Sequence, residues 1–314
     1  MITQEKITNN INLIDIHSIK ELNDDDRTNL IENYRITNEI LDYADDTNER
    51  ARLEYDEPSD VFLIVFNAQN EQSILGEASE ITLPISFAIK ENNIFLFTNN
   101  QTHYVKDYII KANKMLENDS DDRIWSLIFN AFDQITNDYN DMINEINHNR
   151  NRIQDHIKKK RSGNSQIFEL SNLQDLITYI STSINGNFNV VKQMEIISSG
   201  KLHSINLTKS SHEHLHDSIV EIEQIREQAS LTSDIIDRVA NTYNNILNNQ
   251  TNMTMKILTI YTIVLSIPTI VSGFYGMNMP LPVSDKKWSW IFSIILTILM
   301  IGLILWDLNR RDRS

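Results

Sequence analysis

Cysteine is absent from this 314-residue chain, which excludes disulfides and thiolate metal sites and leaves the redox compartment unreadable. Glycine is scarce, 7 residues in all, and no run of it forms the phosphate-cradling loop of an ATP-driven pump. Basic residues are outnumbered, 28 Lys and Arg against 43 Asp and Glu, for a formal net charge of −15. A nucleic-acid binder needs a basic patch against phosphate, so that class is excluded. Met1 to Asn12 carries no apolar stretch and is not Arg-rich, so neither a cleaved signal peptide nor a mitochondrial transit segment is expected there. The acidic excess lies almost wholly before residue 250. It serves either solubility or a surface that gathers cations.

Charge is also missing from two C-terminal runs. No residue from Ile257 to Ser284 is charged, and Ile257 to Gly276 supplies the roughly 20 apolar residues of a spanning helix. After Asp285, Lys286 and Lys287, a second uncharged run extends from Trp288 to Trp306, with Trp288 and Trp290 at one end and Trp306 at the other. Tryptophan prefers the headgroup level, so these residues mark interfaces; a buried core hairpin is the competing reading. Arg310, Arg311 and Arg313 in the tail, with Lys256 before the first span, favour both termini in the cytoplasm.

The remaining sequence reads as an α/β domain followed by helices. Residues 61–67 (VFLIVFN), 81–89 (ITLPISFAI) and 93–98 (NIFLFT) are expected strands, with a tight turn at Asn92-Asn93. A helical pattern covers Ile36 to Tyr43. Another runs from about Val105 to Arg161, with Trp125, Ile128, Phe129, Phe132, Ile135 and Tyr139 at three- and four-residue steps. A second long helix, about Ser165 to Ile197, pairs antiparallel with it. Leu215, Ile219, Ile222, Ile225, Ala229, Ile236, Val239, Tyr243 and Ile246 then form an apolar seam that leads without a break into the first span. A helix from Leu207 to Tyr275 is about 100 Å long at 1.5 Å per residue. Such a rod is expected to bury its seam by self-association around an axis. The expected boundaries are an α/β domain over 1–104, a helical pair over 105–200 and a stalk over 201–255. Spans over 256–278 and 288–306, a loop over 279–287 and a basic tail over 307–314 complete the chain.

The first span ends Phe274-Tyr275-Gly276-Met277-Asn278. Tyr-Gly-Met-Asn closing the first of two C-terminal spans resembles the signature of the CorA magnesium-transporter family. The run Thr251 to Thr259 and Pro268 match that family's first span in kind and order. The resemblance implies a homopentamer embedded in the bilayer, with first spans lining one pore, second spans around them and a cytoplasmic funnel below. It implies a divalent-cation channel rather than an enzyme, with Mg²⁺ as the chief ion, Co²⁺ or Ni²⁺ as side substrates, and no cofactor. Mg²⁺ sheds its water reluctantly, and a ring of Asn278 amides accepts hydrogen bonds from coordinated water without stripping it. Gly276 lets the helix end and the loop turn; Asn278 as a plain helix cap is the bland reading. Neither span carries a carboxylate, so selection rests on size and hydrogen bonding.

Inward from Asn278, the same helical face shows Gly273, Thr269, Ser266, Thr262, then Leu258 or Thr259, Met255 and Asn252. By resemblance, Met255 and Leu258 act as a gate that blocks ions by dewetting, with Asn252 on its cytoplasmic side. Close helix packing is the alternative use for the small residues. Two departures from the family stand out. The loop Met279 to Ser284 lacks acidic residues, and Ser266 replaces a bulkier apolar residue. The resemblance also implies regulatory Mg²⁺ between subunits, with Asp217 facing Asp42, Asp45 or Asp46; a solvated acidic face is the alternative.

His212-Glu213-His214-Leu215-His216 contains an HExxH pattern. As a metalloprotease, His212 and His216 would ligate zinc and Glu213 would activate water. No third ligand is identifiable, and plain surface histidines or sensing of Zn²⁺, Co²⁺ or Ni²⁺ are the other readings. A zinc transporter of the same superfamily and a membrane-anchored scaffold complete the alternatives.

Overall fold

A computed structural model of the chain describes residues 2–8, 10–73, 81–116, 122–158, 164–200, 205–277 and 288–311. Two compact units divide it, 1–240 and 241–314, with the boundary inside one long helix.

The first unit is built on a six-stranded sheet. Its strands are β1 (Ile2–Lys6), β2 (Asn12–His17), β3 (Arg52–Asp56), β4 (Val61–Gln69), β5 (Thr82–Lys90) and β6 (Asn93–Thr98). The spatial order is β1-β2-β6-β5-β4-β3, with β2–β6 parallel and every other pair antiparallel. Helices α1 (Asp24–Glu32) and α2 (Asn38–Asp45) cover one face, burying Leu30, Ile40 and Leu41 with Ile14, Val65 and Phe95. Helices α3 (Val105–Met115), α4 (Arg123–Lys158) and α5 (Asn164–Ser198) take the other, where Phe132 stacks on Phe66 at 4.1 Å between ring centroids. Cover on both faces explains why the central strands are continuous apolar runs rather than alternating ones. One polar contact fixes α5 on the sheet. The buried side chain of Asn187 accepts from the Asn67 N–H at 2.8 Å and donates to its carbonyl at 2.9 Å. Beside it, a Cβ on Gly186 would lie 3.0 Å from Cβ of Ala51, so glycine permits this approach.

Three strands depart from the expectation. β1 is a polar edge strand, β3 is a short edge strand whose apolar residues are only Leu53 and Tyr55, and β2 carries Asp15 within its apolar run. The tight turn is Glu91-Asn92 rather than Asn92-Asn93. Asn93 already pairs with Lys90 across the hairpin, and its Oδ1 accepts from Asn12 Nδ2 at 2.9 Å, while Glu91 takes the positive φ of 51°. Nor is the stretch from Val105 a single helix. α3 ends at Met115, and the Arg123 guanidinium donates to the Asn113 and Leu116 carbonyls at 3.2 Å. The sequence Asn118-Asp119-Ser120-Asp121-Asp122 between them is a poor helix former.

Helix α6 (Lys209–Tyr275) overturns the seam argument. Leu215, Ile222 and Ile236 are at most 1% exposed within the single chain. The neighbours are its own α4 and α5: Ser126 meets Ser211 at 3.0 Å, Asn147 donates to Thr232 at 3.1 Å, and Gln174 donates to Asp237. An intramolecular partner buries this seam, so it gives no ground for self-association.

The second unit contains the rest of α6 and helix α7 (Ser289–Arg311), which continues past Trp306 and brings Arg310 over that ring at 5.8 Å. Both helices have stretches long and apolar enough to cross a membrane. Leu265 is 71% exposed and Ile298 64%, which removes the buried-core-hairpin reading.

Candidate functional site

Within the second unit, α6 has two unlike faces. Ile267 and Val271 are buried, Ile260 and Val264 are half-buried, and the Tyr275 ring lies 6.3 Å from that of Phe292 on α7. Across the helix, Asn252, Met255, Leu258, Thr259, Thr262, Ser266, Thr269 and Gly273 are all exposed. These residues lie along one side of the helix, and the apolar Met253, Ile257, Tyr261, Leu265, Ile270 and Phe274 are exposed beside them. That side is bare in the single chain, and α7 takes the opposite side.

The hydroxyls on this face are internally engaged. Thr259 donates to the Met255 carbonyl at 2.8 Å, Thr262 to Leu258 at 2.9 Å, Ser266 to Thr262 at 2.7 Å and Thr269 to Leu265 at 3.3 Å. Ser and Thr inside a helix commonly bond back to the carbonyl of the preceding turn in this way. Pro268 has no N–H to return to the Val264 carbonyl, a recognised cause of local irregularity.

At the end of α6, Gly276 N–H donates to the Ser272 carbonyl at 2.9 Å and Met277 N–H to Phe274 at 3.2 Å. α6 ends at Tyr275, directly before Gly276, and the glycine takes this position without a left-handed backbone. A Cβ there would stand 3.2 Å from the Ser272 oxygen, and the close approach is what glycine supplies. Gly273 differs, because a Cβ on it would meet nothing within 4 Å; the chain by itself has no need of glycine there. Asn278 lies outside the described residues.

The first unit holds the other candidates. Asp217, Asp42 and Asp46 are exposed and Asp45 is half-buried. Among the described residues, no three His, Asp or Glu side chains gather into a group able to hold a metal. His216 lies 3.6 Å from Glu195, Glu213 lies 3.6 Å from Lys209, and His212 is half-buried. The HExxH residues thus have no third ligand.

The histidine that does bridge elements is the middle one, His214, which the motif leaves unassigned. Its Nε2 lies 2.7 Å from Asp133 Oδ2 on α4, and Ser218 donates to the other carboxylate oxygen at 2.6 Å. The hydrogen bond to Asp133 raises the His214 pKa above the usual imidazole value, against a smaller opposing effect of burial, and the charges of Asp217 and Glu221 add to the rise. A signal was present in the sequence, since His214 is one step before seam residue Leu215, but its partner is 81 residues away.

The sign of the pH effect follows from linkage. A raised folded-state pKa contributes stability that is fully present below the unfolded value of about 6.5 and is lost as pH rises through the folded one. The thermal midpoint should therefore fall as pH increases above about 6.5. His214→Gln should flatten this part of the profile, which thermal melts across that range would check. An unchanged slope in the variant would refute the assignment.

A separate cavity of about 310 Å³ is lined by Gln69, Glu71, Tyr104, Asp107, Tyr108 and Asp138. Burial pushes Asp138 up to about 6, although Tyr108 donates to both of its carboxylate oxygens at 2.9 Å.

Comparison with known proteins now bears on both units. Residues 16–310 match the family model described as CorA-like Mg²⁺ transporter protein. The chain belongs to the CorA-like Mg²⁺ transporter family. It is 22% identical over 261 residues to the cobalt/magnesium transport protein CorA of Methanocaldococcus jannaschii, covering 82% of this chain and 78% of that one. To the protein of the same name from Thermotoga maritima it is 29% identical over 76 residues, 24% of this chain and 21% of that one. The complete CorA structure from M. jannaschii shares the fold, with a TM-score of 0.77 at 19% identity and coverage of 96% and 90%. A ZntB cytoplasmic domain from Vibrio parahaemolyticus is also similar, with a TM-score of 0.60 at 13% identity, covering 79% of this CorA-family chain and 93% of that domain.

Proposed function

We propose that this chain is one subunit of a homopentameric membrane channel that passes hydrated divalent cations, chiefly Mg²⁺. One observation carries the reading: opposite the buried Ile267 and Val271, α6 keeps an exposed, uncharged and largely polar strip that reaches Gly276, and Met277 and Asn278 follow it in the sequence. In a lone membrane-spanning helix pair, Thr262, Ser266 and Thr269 would face hydrocarbon, a poor environment for oxygen-bearing side chains. Turned toward a shared axis, they line a water-filled path. Gly273 fits the same arrangement, because the open space beside it belongs to the axis or to a neighbour.

The divisions of labour follow from chemistry. Asn278 amides form the outer ring and accept from the ion's water shell. Met255 and Leu258 narrow the inner end to an apolar constriction that closes by dewetting. Asp217 and the carboxylates Asp42, Asp45 and Asp46 hold regulatory Mg²⁺ between neighbouring subunits. Loss of that cation leaves like charges opposed and favours opening. Arg310, Arg311 and Arg313 place the tail, and with it the first unit, in the cytoplasm. The scaffold and metalloprotease readings have no comparable observation behind them.

Zinc is the second reading, since the resemblance extends to zinc transporters of the same superfamily and His212 and His216 are residues that suit zinc. Purified protein in liposomes, loaded with ion-sensitive dye and offered Mg²⁺, Co²⁺, Ni²⁺ or Zn²⁺ with and without a proton gradient, separates the two. Mg²⁺ entry without a proton gradient supports the leading proposal. Zn²⁺ entry that needs protons replaces it with the second, and inertness toward all four ions removes both.

A further inference from the structure

The exposed face of α6 does not stop at Asn252. Every seventh residue back from Gly276 gives Thr269, Thr262, Met255, Asn248 and Asn241, and each is exposed. The diametrically opposite positions are the buried or half-buried Ile260, Val264, Ile267 and Val271. A seven-residue period is the repeat along which helices meet around a common axis in a left-handed bundle. In an ordinary bundle that stripe is apolar and seals the core. Here Met255 is its only apolar member, and the inner end is amide at both Asn241 and Asn248, with Asn245 and Asn252 alongside. Asparagine at such positions does not make a dry core, since its amide needs partners for one carbonyl and two N–H groups. Lys256 is the only charged residue from Asn241 to Gly276, and it lies off the stripe. The stripe is thus neutral over about 50 Å at 1.5 Å per residue, and polar on both sides of Met255.

We propose that Asn241, Asn245 and Asn248 form a hydrated amide vestibule inside the apolar constriction, and that it determines how fast a divalent cation leaves the gate. The proposal rests on the channel reading above. A cation emerging past Met255 still carries a shell of coordinated water, whose outward O–H groups need acceptors. Amide oxygens provide them without a full negative charge, so the ion is held weakly enough to move on. Carboxylates in their place would hold a divalent ion longer, and leucines would extend the dewetted zone inward. The buried seam of α6 runs on to Tyr243, and Asn241, Asn245 and Asn248 are exposed beside it rather than part of it.

The test uses the full-length protein in liposomes with a Mg²⁺-sensitive dye. Asn241→Leu/Asn248→Leu should cut Mg²⁺ flux roughly tenfold or more by widening the dewetted stretch. Asn248→Asp should lower the Mg²⁺ concentration for half-saturation and reduce the maximal rate. Gln250→Leu, on the opposite face, should change neither. Elution as the wild-type assembly checks that each variant folds. Should the double-leucine variant be misfolded, the aspartate variant decides alone. If the substitutions on the stripe leave rate and half-saturation at wild-type values while Asn278→Ala abolishes flux, the vestibule is refuted and the channel reading stands. If the wild-type protein itself passes no Mg²⁺, the channel reading beneath it has failed.

Discussion

Asn278→Ala is expected to reduce Mg²⁺ flux by roughly a hundredfold or more, with assembly and melting temperature unchanged. The reasoning is a matter of a few hydrogen bonds at a barrier. A bond to a charged or strongly polarised donor contributes about 1.5–3 kcal/mol, and water coordinated to Mg²⁺ is such a donor. Losing two at the narrowest outer ring raises the barrier by about 3 kcal/mol, which is on the order of a hundredfold in rate. Asn278→Gln keeps the amide but moves it by one methylene, and should retain part of the flux. Asn278→Asp keeps an acceptor and adds charge, so half-saturation should move to lower Mg²⁺ while the maximal rate falls. Dye-loaded liposomes report all three. Wild-type flux in the alanine variant would contradict the selection mechanism outright.

The second large effect is expected at the constriction. Met255→Asn/Leu258→Asn should produce a channel that leaks even when internal Mg²⁺ is high, with basal flux raised on the order of a hundredfold over the closed wild type. An apolar ring blocks ions because water leaves it, and amides at the same level keep it wet. Both side chains are exposed in the single chain, at 56% for Met255 and 58% for Leu258, so the substitution removes little intramolecular packing and the fold should tolerate it. Flux measured against internal Mg²⁺ gives the readout: wild type should shut down as the ion accumulates, and the double variant should not. A variant that still closes would place the gate elsewhere on α6.

The sequence revealed this second unit more readily than the first, and the reason is physical. Membrane-spanning helices obey one simple rule, a long uncharged run, and a helix this long keeps its faces in register. Thr262, Ser266 and Thr269 could therefore be assigned to one side by counting. The sheet was legible where both faces are buried, as in Val61 to Phe66, because burial leaves a dense apolar run. It was illegible at β1 and β3, whose edge positions ask for little apolar surface, and at β2, where Asp15 interrupts the run and pairs with Lys106 at 3.2 Å. The seam from Leu215 was correctly read as apolar and wrongly given a second copy as its partner. Periodicity says that a face is covered and not by whom. The same limit hid His214, whose meaning depends on Asp133 from another helix. The site proposed for Asp217, Asp42, Asp45 and Asp46 meets the same limit, because a site shared between copies would leave no pattern in one chain.

One consequence of the hydroxyl bonding on α6 reaches beyond cations. Each of Thr259, Thr262, Ser266 and Thr269 points its hydrogen back into its own helix, which turns only oxygen lone pairs toward the neighbouring space. Chloride or phosphate arriving there would find no hydrogen to accept and no positive charge to meet. On the channel reading, such a lining would refuse anions without a single ionised group, through the direction in which four small side chains face.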